Sequence, residues 1–433
     1  MMQIHVVQPG QTLYGLAQAY RTTMQAIIQA NELQNPERLV VGQALVIPIY
    51  GRFYWVQPGD SLFSIAQRYG MNVDELARLN GLDVNQPLQV GTQLYIPPQS
   101  KRDVETLAFL EPRGDAISPA LLGEAMNAGR QLTYISLFSL EARRDGSLRP
   151  PPSNGLDEVR QNTGAVTMLV VTNLEEGAFS GELGRDILQS SAVQNLLLEN
   201  IISFAEELGG VRAVMFDFEH LPGEQRLAYV QFLQRAVEQL HEVGMSVSAA
   251  LAPKTRADQP GEWFVAHDYG AIGQVVDFAM LMTYEWGYSA GPPMAVSPIN
   301  EVERVLNYAL TEMPADKIIM GQNIYGYDWT LPFVQGGEYA RAVSPQTAIR
   351  LAARYQVAIE YDTKAQAPFF NYRDEEGREH VVWFEDARSI QAKFDLLKRL
   401  GLRGIGFWKL GLSFPQNWLL IEENFNVTKL EGS

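Results

Sequence analysis

Apolar positions along this chain change their period several times, and each change marks an element. Leu62, Ile65, Ala66 and Tyr69 recur at helical spacing and give one apolar face. Residues 4–6 and 53–55 are short extended segments, each followed by a Pro-Gly turn. Thr12 and Ser61 then stand at N-cap positions, ready to accept from the free amides of a helix start. A second short helix is predicted over 73–79. Leu94-Tyr95-Ile96 is a returning strand stopped by Pro97.

Further on, extended apolar runs alternate with helix-patterned ones. The extended runs are 105–110, 133–138, 167–171, 211–218, 246–252, 278–283, 318–324 and 404–408. Helical stretches such as 185–208, 223–243, 301–312 and 386–400 separate most of them. Eight such strands predict an α/β fold, a closed (β/α)8 TIM barrel over 103–428. A doubly wound sheet would want a glycine-rich phosphate turn after its first strand, and Glu111-Pro112-Arg113-Gly114 is not one. The stretch 334–386, aromatic and acidic with strand-like pieces at 357–361 and 380–384, is expected to be a small α+β insertion.

The first part of the chain is an internal repeat. A shift of 49 residues lays Val7-Gln8-Pro9-Gly10-Gln11-Thr12-Leu13 over Val56-Gln57-Pro58-Gly59-Asp60-Ser61-Leu62. The match runs on without a gap through Tyr20 on Tyr69 and Asn31 on Asn80 to Ile47-Pro48 on Ile96-Pro97. Two βααβ units are therefore expected, at 3–48 and 52–98. Ile49-Tyr50-Gly51 joins them, and a second boundary runs through Pro97-Pro98-Gln99-Ser100-Lys101-Arg102.

Composition narrows the function. The 433 residues are 46% hydrophobic and 19% charged, which is globular. The net charge of −16 would repel a phosphate backbone, so nucleic acid is not an expected partner. Residues 1–98 hold five basic and six acidic side chains, so the excess lies in the larger domain and the repeats do not form a basic patch. With no cysteine, disulfides, thiolate metal sites and cysteine nucleophiles are all excluded. Five scattered histidines lack metal-ligand spacing, so no metal or other cofactor is expected. The longest apolar stretches fall far short of the roughly 20 residues a spanning helix needs, so no membrane role is expected. The start shows no basic region followed by an apolar run, so no signal peptide is expected either.

Candidate chemistry sits at the end of the fourth barrel strand, Met215-Phe216-Asp217-Phe218-Glu219. Strand side chains alternate, so Met215, Asp217 and Glu219 share one face and the two phenylalanines the other. Phenylalanines belong against the outer helices, which turns both carboxyls into the barrel at the end where barrel active sites lie. Two acids buried side by side raise each other's pKa, and a carboxyl kept protonated near neutrality is what a general acid requires. Spacing alone leaves open that both acids merely pair with basic loops.

These motifs resemble known families. The repeated Val-Gln-Pro-Gly opening with its βααβ unit is similar to the LysM module. That resemblance implies binding of N-acetylglucosamine-containing glycans such as peptidoglycan through Gly10, Gln11, Thr12, Leu13, Gly59, Asp60, Ser61 and Leu62. Phe216-Asp217-Phe218-Glu219 resembles the end of the DxxDxDxE signature of family 18 glycoside hydrolases, with Arg212 and Met215 where chitinases carry Asp. Met282-Thr283-Tyr284-Glu285-Trp286-Gly287-Tyr288, Tyr325-Gly326-Tyr327-Asp328-Trp329-Thr330 and Phe407-Trp408-Lys409-Leu410-Gly411 resemble the spore cortical-fragment-lytic N-acetylglucosaminidases of that family. The resemblance implies a retaining reaction in which the substrate's 2-acetamido group is the nucleophile. Glu219 would be the proton donor and Asp217 the partner of the acetamide N–H. Tyr284 would bond the acetamide oxygen, and Trp408 would floor the sugar. Glu285, Trp286, Asn173, Tyr325, Tyr327, Asp328 and Trp329 are further substrate-contact candidates, and Met215 implies an Asp217 that stays ionised. The implied function is a peptidoglycan hydrolase of spore cortex fragments, made in the mother-cell cytoplasm and built into the spore. A chitinase-like enzyme on chitin oligomers and a non-catalytic glycan-binding coat protein are the alternatives.

Overall fold

The computed structural model describes residues 2–430 except 99 and 413, so Gln99 of the expected boundary lies outside the described residues. Eight parallel strands close on themselves in chain order. They are Arg102–Leu110, Tyr134–Ala142, Val166–Thr172, Val211–Asp217, Ser246–Leu251, Phe278–Leu281, Ile318–Asn323 and Gly404–Trp408. The first pairs with both the second and the eighth, which excludes an open doubly wound sheet.

Closure needs small residues. A Cβ on Gly404 would sit 1.8 Å from the carbonyl oxygen of Glu105 on the neighbouring strand. On Gly321 it would meet the Leu281 carbonyl at 2.4 Å and the Tyr284 ring at 2.9 Å, so this glycine leaves room for Tyr284.

Strand alternation splits the core in two. Leu107, Met168, Ala213, Met215 and Met280 fill the barrel interior. Val214, Phe216 and Phe218 face the outer helices, where Phe216 meets Phe232 edge to face at 5.0 Å and Phe218 stacks on Tyr229.

Between the seventh and eighth strands lies an antiparallel five-stranded sheet of Gly326–Leu331, Arg341–Val343, Glu360–Asp362, Ala367–Arg373 and Glu379–Trp383. Helix Pro345–Tyr355, capped by Ser344, belongs to the same unit. The sheet begins at Gly326, before the expected 334, because the run Tyr327-Asp328-Trp329 alternates as a strand instead of closing the barrel unit.

The N-terminal repeats form two βααβ units, each with one antiparallel strand pair. The repeated asparagine has one task in both. Asn31 donates to the carbonyls of Ile27 and Val46 and accepts from the Val46 amide, each at 2.8 Å. Asn80 does the same with Leu76 and Tyr95. The units touch through Trp55 on Tyr20, and through Gln93, which donates to the Ala19 carbonyl at 2.9 Å. Among the described residues no helix is long and apolar enough to cross a membrane.

Replacing Gly404 by alanine is expected to destabilise the barrel by roughly 3 kcal/mol, because the Glu105 carbonyl cannot withdraw without breaking the strand pairing. Urea unfolding of G404A beside the parent checks this.

Candidate active site

A cleft of about 930 Å³ opens at the C-terminal ends of the barrel strands, within the size range of small-molecule sites. Asp217, the last residue of the fourth strand, and Glu219 both line it, as the alternation predicts. Both are buried, at 4% and 9% exposure. Burial raises the Asp217 carboxyl to about 7. Burial thus works against the ionised Asp217 implied by Met215, since Met215 is fully buried and offers no charge to offset the loss of solvation. Oδ1 of Asp217 is buried and has no hydrogen-bond partner among the described residues, which leaves an unsatisfied acceptor at the cleft wall.

Glu219 is pushed well above the ordinary carboxylate range, first by burial and then by the neighbouring Asp217 charge. Its backbone is fixed by Asn173, whose Oδ1 accepts from the Glu219 amide at 2.9 Å. The Asn173 amide nitrogen donates to the carbonyls of Glu219 and Ser180, each at 2.9 Å. Asn173 is fully buried and does not line the cleft, so its expected substrate contact is corrected to a positioning role.

The other expected residues divide. Tyr284, Glu285, Tyr325, Tyr327 and Trp408 line the cleft with the two acids. Tyr284 is 7% exposed, and burial drives its hydroxyl well above the usual phenol range. Glu285 accepts from the hydroxyls of Tyr325 and Tyr327, the latter at 3.1 Å. Trp408 is held edge to face by Phe109 at 5.1 Å and Phe138 at 4.9 Å.

Trp286, Asp328 and Trp329 do not reach the cleft. Trp286 packs against the core outside the barrel, because its backbone pairs with Val296 and turns it outward. Asp328 follows Tyr327 on a strand and so points to the opposite face, where it accepts from Tyr372 at 2.7 Å and contacts His380 at 3.0 Å. Trp329 is buried and donates to the Gly291 carbonyl at 2.9 Å.

In the LysM turns, Thr12 and Ser61 are caps, accepting from Gly15 and Ser64. Leu13 and Leu62 are core. Gln11 and Asp60 both close their turns by accepting from the amides of Gln8 and Gln57 at 2.8 Å. The side chains of these six residues are thus spent on the fold; Gly10 and Gly59, at φ 77° and 87°, present bare backbone.

Sequence reasoning missed Trp263, Phe109, Phe138 and Lys409, all in the cleft wall. Phe109 was within reach, since it alternates inward with Leu107 at the end of the first strand. Trp263 lies in an aperiodic loop and carried no such signal. Its Nε1 is buried and makes no hydrogen bond among the described residues. Although it falls short of a formed hydrogen bond here, the indole N–H acts on Glu219 in the opposite sense to burial, favouring the carboxylate. Lys409 pairs with Glu111 across the rim. Among the described residues, no three His, Asp or Glu side chains are grouped to hold a metal ion.

A closed barrel with a buried carboxyl of raised pKa in an aromatic cleft is the apparatus of an acid-catalysed glycoside hydrolase. Residues 161–412 match the family described as Glycosyl hydrolases family 18, and residues 5–48 and 54–97 each match the LysM domain. The chain belongs to glycosyl hydrolase family 18.

It is 60% identical to the cortical fragment-lytic enzyme of Bacillus subtilis (strain 168) over 428 residues, 99% of each chain. With the enzyme of the same name from Bacillus anthracis it shares 50% over 430 residues, 99% of this chain and 100% of the other. The crystal structure of the Bacillus megaterium QM B1551 spore cortex-lytic enzyme SleL covers 99% of both chains with a TM-score of 0.92 at 50% identity.

Two variants test the positioning of Glu219. Asn173→Ala is expected to lower kcat about 10²-fold with little change in KM, since a displacement of about 1 Å at the acid has that effect. Trp263→Phe keeps the ring but removes the donor, so Glu219 becomes a weaker acid and the basic limb of the kcat/KM profile moves to higher pH. Steady-state kinetics across pH read both.

Proposed function

We propose that the chain hydrolyses β-1,4 bonds beside N-acetylglucosamine in spore cortex fragments, with retention of configuration and with the substrate's acetamide as nucleophile. The observation that carries this reading is the pairing of a buried Glu219, its carboxyl pushed well above the ordinary range, with an Asp217 whose Oδ1 has no partner among the described residues. The names of the relatives, cortical fragment-lytic and spore cortex-lytic, support the substrate and an association with the spore.

In the first step the acetamide carbonyl oxygen attacks C1. The bond from C1 to the bridging oxygen breaks, and Glu219 gives its proton to that oxygen. Asp217 Oδ1 accepts from the acetamide N–H, orients the carbonyl and shares the positive charge of the oxazolinium ring. Tyr284, buried and never ionised at working pH, donates to the acetamide oxygen. Trp408 supplies the flat apolar floor under that sugar, and Glu285 with Tyr325 and Tyr327 takes its hydroxyls. In the second step water adds at C1 from the side the leaving group left, and Glu219 takes back the proton. Two inversions give retention. The LysM modules hold the chain to the polymer, and a weak site on the same glycan raises the effective concentration of cleavable bonds.

Incubation with muropeptides and with chitooligosaccharides tests the reading. Glu219→Gln is expected to lose at least 10³-fold in turnover on muropeptides, with first products of unchanged anomeric configuration by NMR in the parent. Cleavage that survives Glu219→Gln, or inverted products, would overturn it; preference for chitooligosaccharides would select the chitinase-like alternative. Activity requires protonated Glu219, so kcat/KM falls as pH rises through its raised pKa. Asp217→Asn removes the charge that helps to raise it, and the residual activity is expected to lose its basic limb at lower pH.

A further inference from the structure

The two LysM repeats are matched in sequence but not in surroundings. In each, the loop before the last strand lies beside the first strand. Gly42 donates to the Val7 carbonyl at 2.8 Å, and Gly91 donates to Val56 at 2.8 Å. This loop and the Pro-Gly turn after the first strand are thus neighbouring walls of one surface in both copies. The Pro-Gly wall is open in both: Tyr14 and Phe63, at equivalent positions just after it, are 65% and 68% exposed.

The second wall differs. In the first copy the catalytic domain docks on it, although Val41, the equivalent of Val90, keeps 38% exposure. The Ile359 amide donates to the Val41 carbonyl at 2.9 Å, and Arg388 donates to the Gly42 carbonyl at 3.0 Å. The approach is so close that a Cβ on Gly42 would lie 1.8 Å from the Ile359 oxygen. Val40 is 7% exposed inside the core of the insertion. The adjoining strand is claimed as well, since Gln416 donates to the Ala44 carbonyl at 3.0 Å.

In the second copy the same wall faces solvent. Val90 is 62% exposed, and a Cβ on Gly91 would meet nothing within 4 Å among the described residues.

We propose that the repeats have divided their work: the second module is the glycan-binding one, through its turn at 59–63 and its loop at 88–92, and the first is a clamp that fixes the pair to the barrel. This rests on the reading that LysM modules of this chain take a polymer of N-acetylglucosamine-containing sugar. Neither module carries a charge excess, in keeping with a neutral saccharide held by backbone amides and an apolar wall. The clamp also has a consequence for the enzyme. A module seated against the insertion and helix Pro415–Asn424 keeps the glycan-binding surface of its neighbour at a set orientation to the cleft, so a captured strand is delivered in one direction.

Hydrogen exchange of the full chain, carrying Glu219→Gln to prevent turnover, with and without the hexamer of N-acetylglucosamine, tests the division. Protection is expected in peptides covering 57–63 and 88–92 and not in those covering 8–14 and 39–43. Protection in the first module would overturn the division and leave anchoring intact; protection confined to the cleft would remove anchoring itself. A retention assay on insoluble chitin gives the second readout. Val90→Asp, at an exposed position, is expected to weaken retention at least fivefold, and Val41→Asp to stay within twofold of the parent. The reverse order, or equal losses, would overturn the proposal.

Discussion

Two carboxyl groups buried on either side of Phe218 set the terms for the whole site. Removing both from water is unfavourable, and their mutual repulsion makes it worse, so the pair holds fewer negative charges than two free acids would. The strand keeps them together because Phe216 and Phe218 are anchored outside the barrel on Phe232 and Tyr229. A one-residue slip of that strand would exchange phenylalanines for acids and ruin both cores at once. The energy that holds the acid protonated is therefore drawn from ordinary hydrophobic packing several ångströms away.

Around the acids, the wall is built from several strand ends and one inserted sheet. Trp408, Phe109 and Phe138 form an edge-to-face group that fixes the indole plane. Gly321 leaves space where a Cβ would displace Tyr284. The Tyr325 and Tyr327 hydroxyls hold Glu285 although its backbone sits at φ 64°, a conformation that non-glycine residues adopt at a cost. Asn173 completes the arrangement from behind by fixing the backbone that carries the acid. Rigid aromatic surfaces with few mobile polar groups suit the recognition of a sugar ring, whose C–H face is apolar and whose edge is polar.

The N-terminal repeats show how similar sequences acquire different situations. Nothing in Val41-Gly42 or Val90-Gly91 distinguishes a docked loop from a free one. The difference is decided by Ile359, Arg388 and Gln416, which lie more than three hundred residues away in the chain. Gly42 permits the close approach, whereas Gly91 only serves its turn.

Local pattern determined a good deal by itself. Period two placed Asp217 and Glu219 inward and the two phenylalanines outward, and the eight apolar runs fell on the eight strands, because both follow from burying one face of each element. The exact repeat announced two copies of one small fold. Long-range packing decided the rest. Asp328 was misjudged because the run from Tyr325 is a strand of the inserted sheet, with its own two faces. Trp286 was misjudged because its loop folds back on Val296 and turns the ring away from the cleft. Trp263 went unseen because an aperiodic loop has no face until the barrel gives it one. A sequence states which side of an element is apolar; only the assembled molecule states what lies against it.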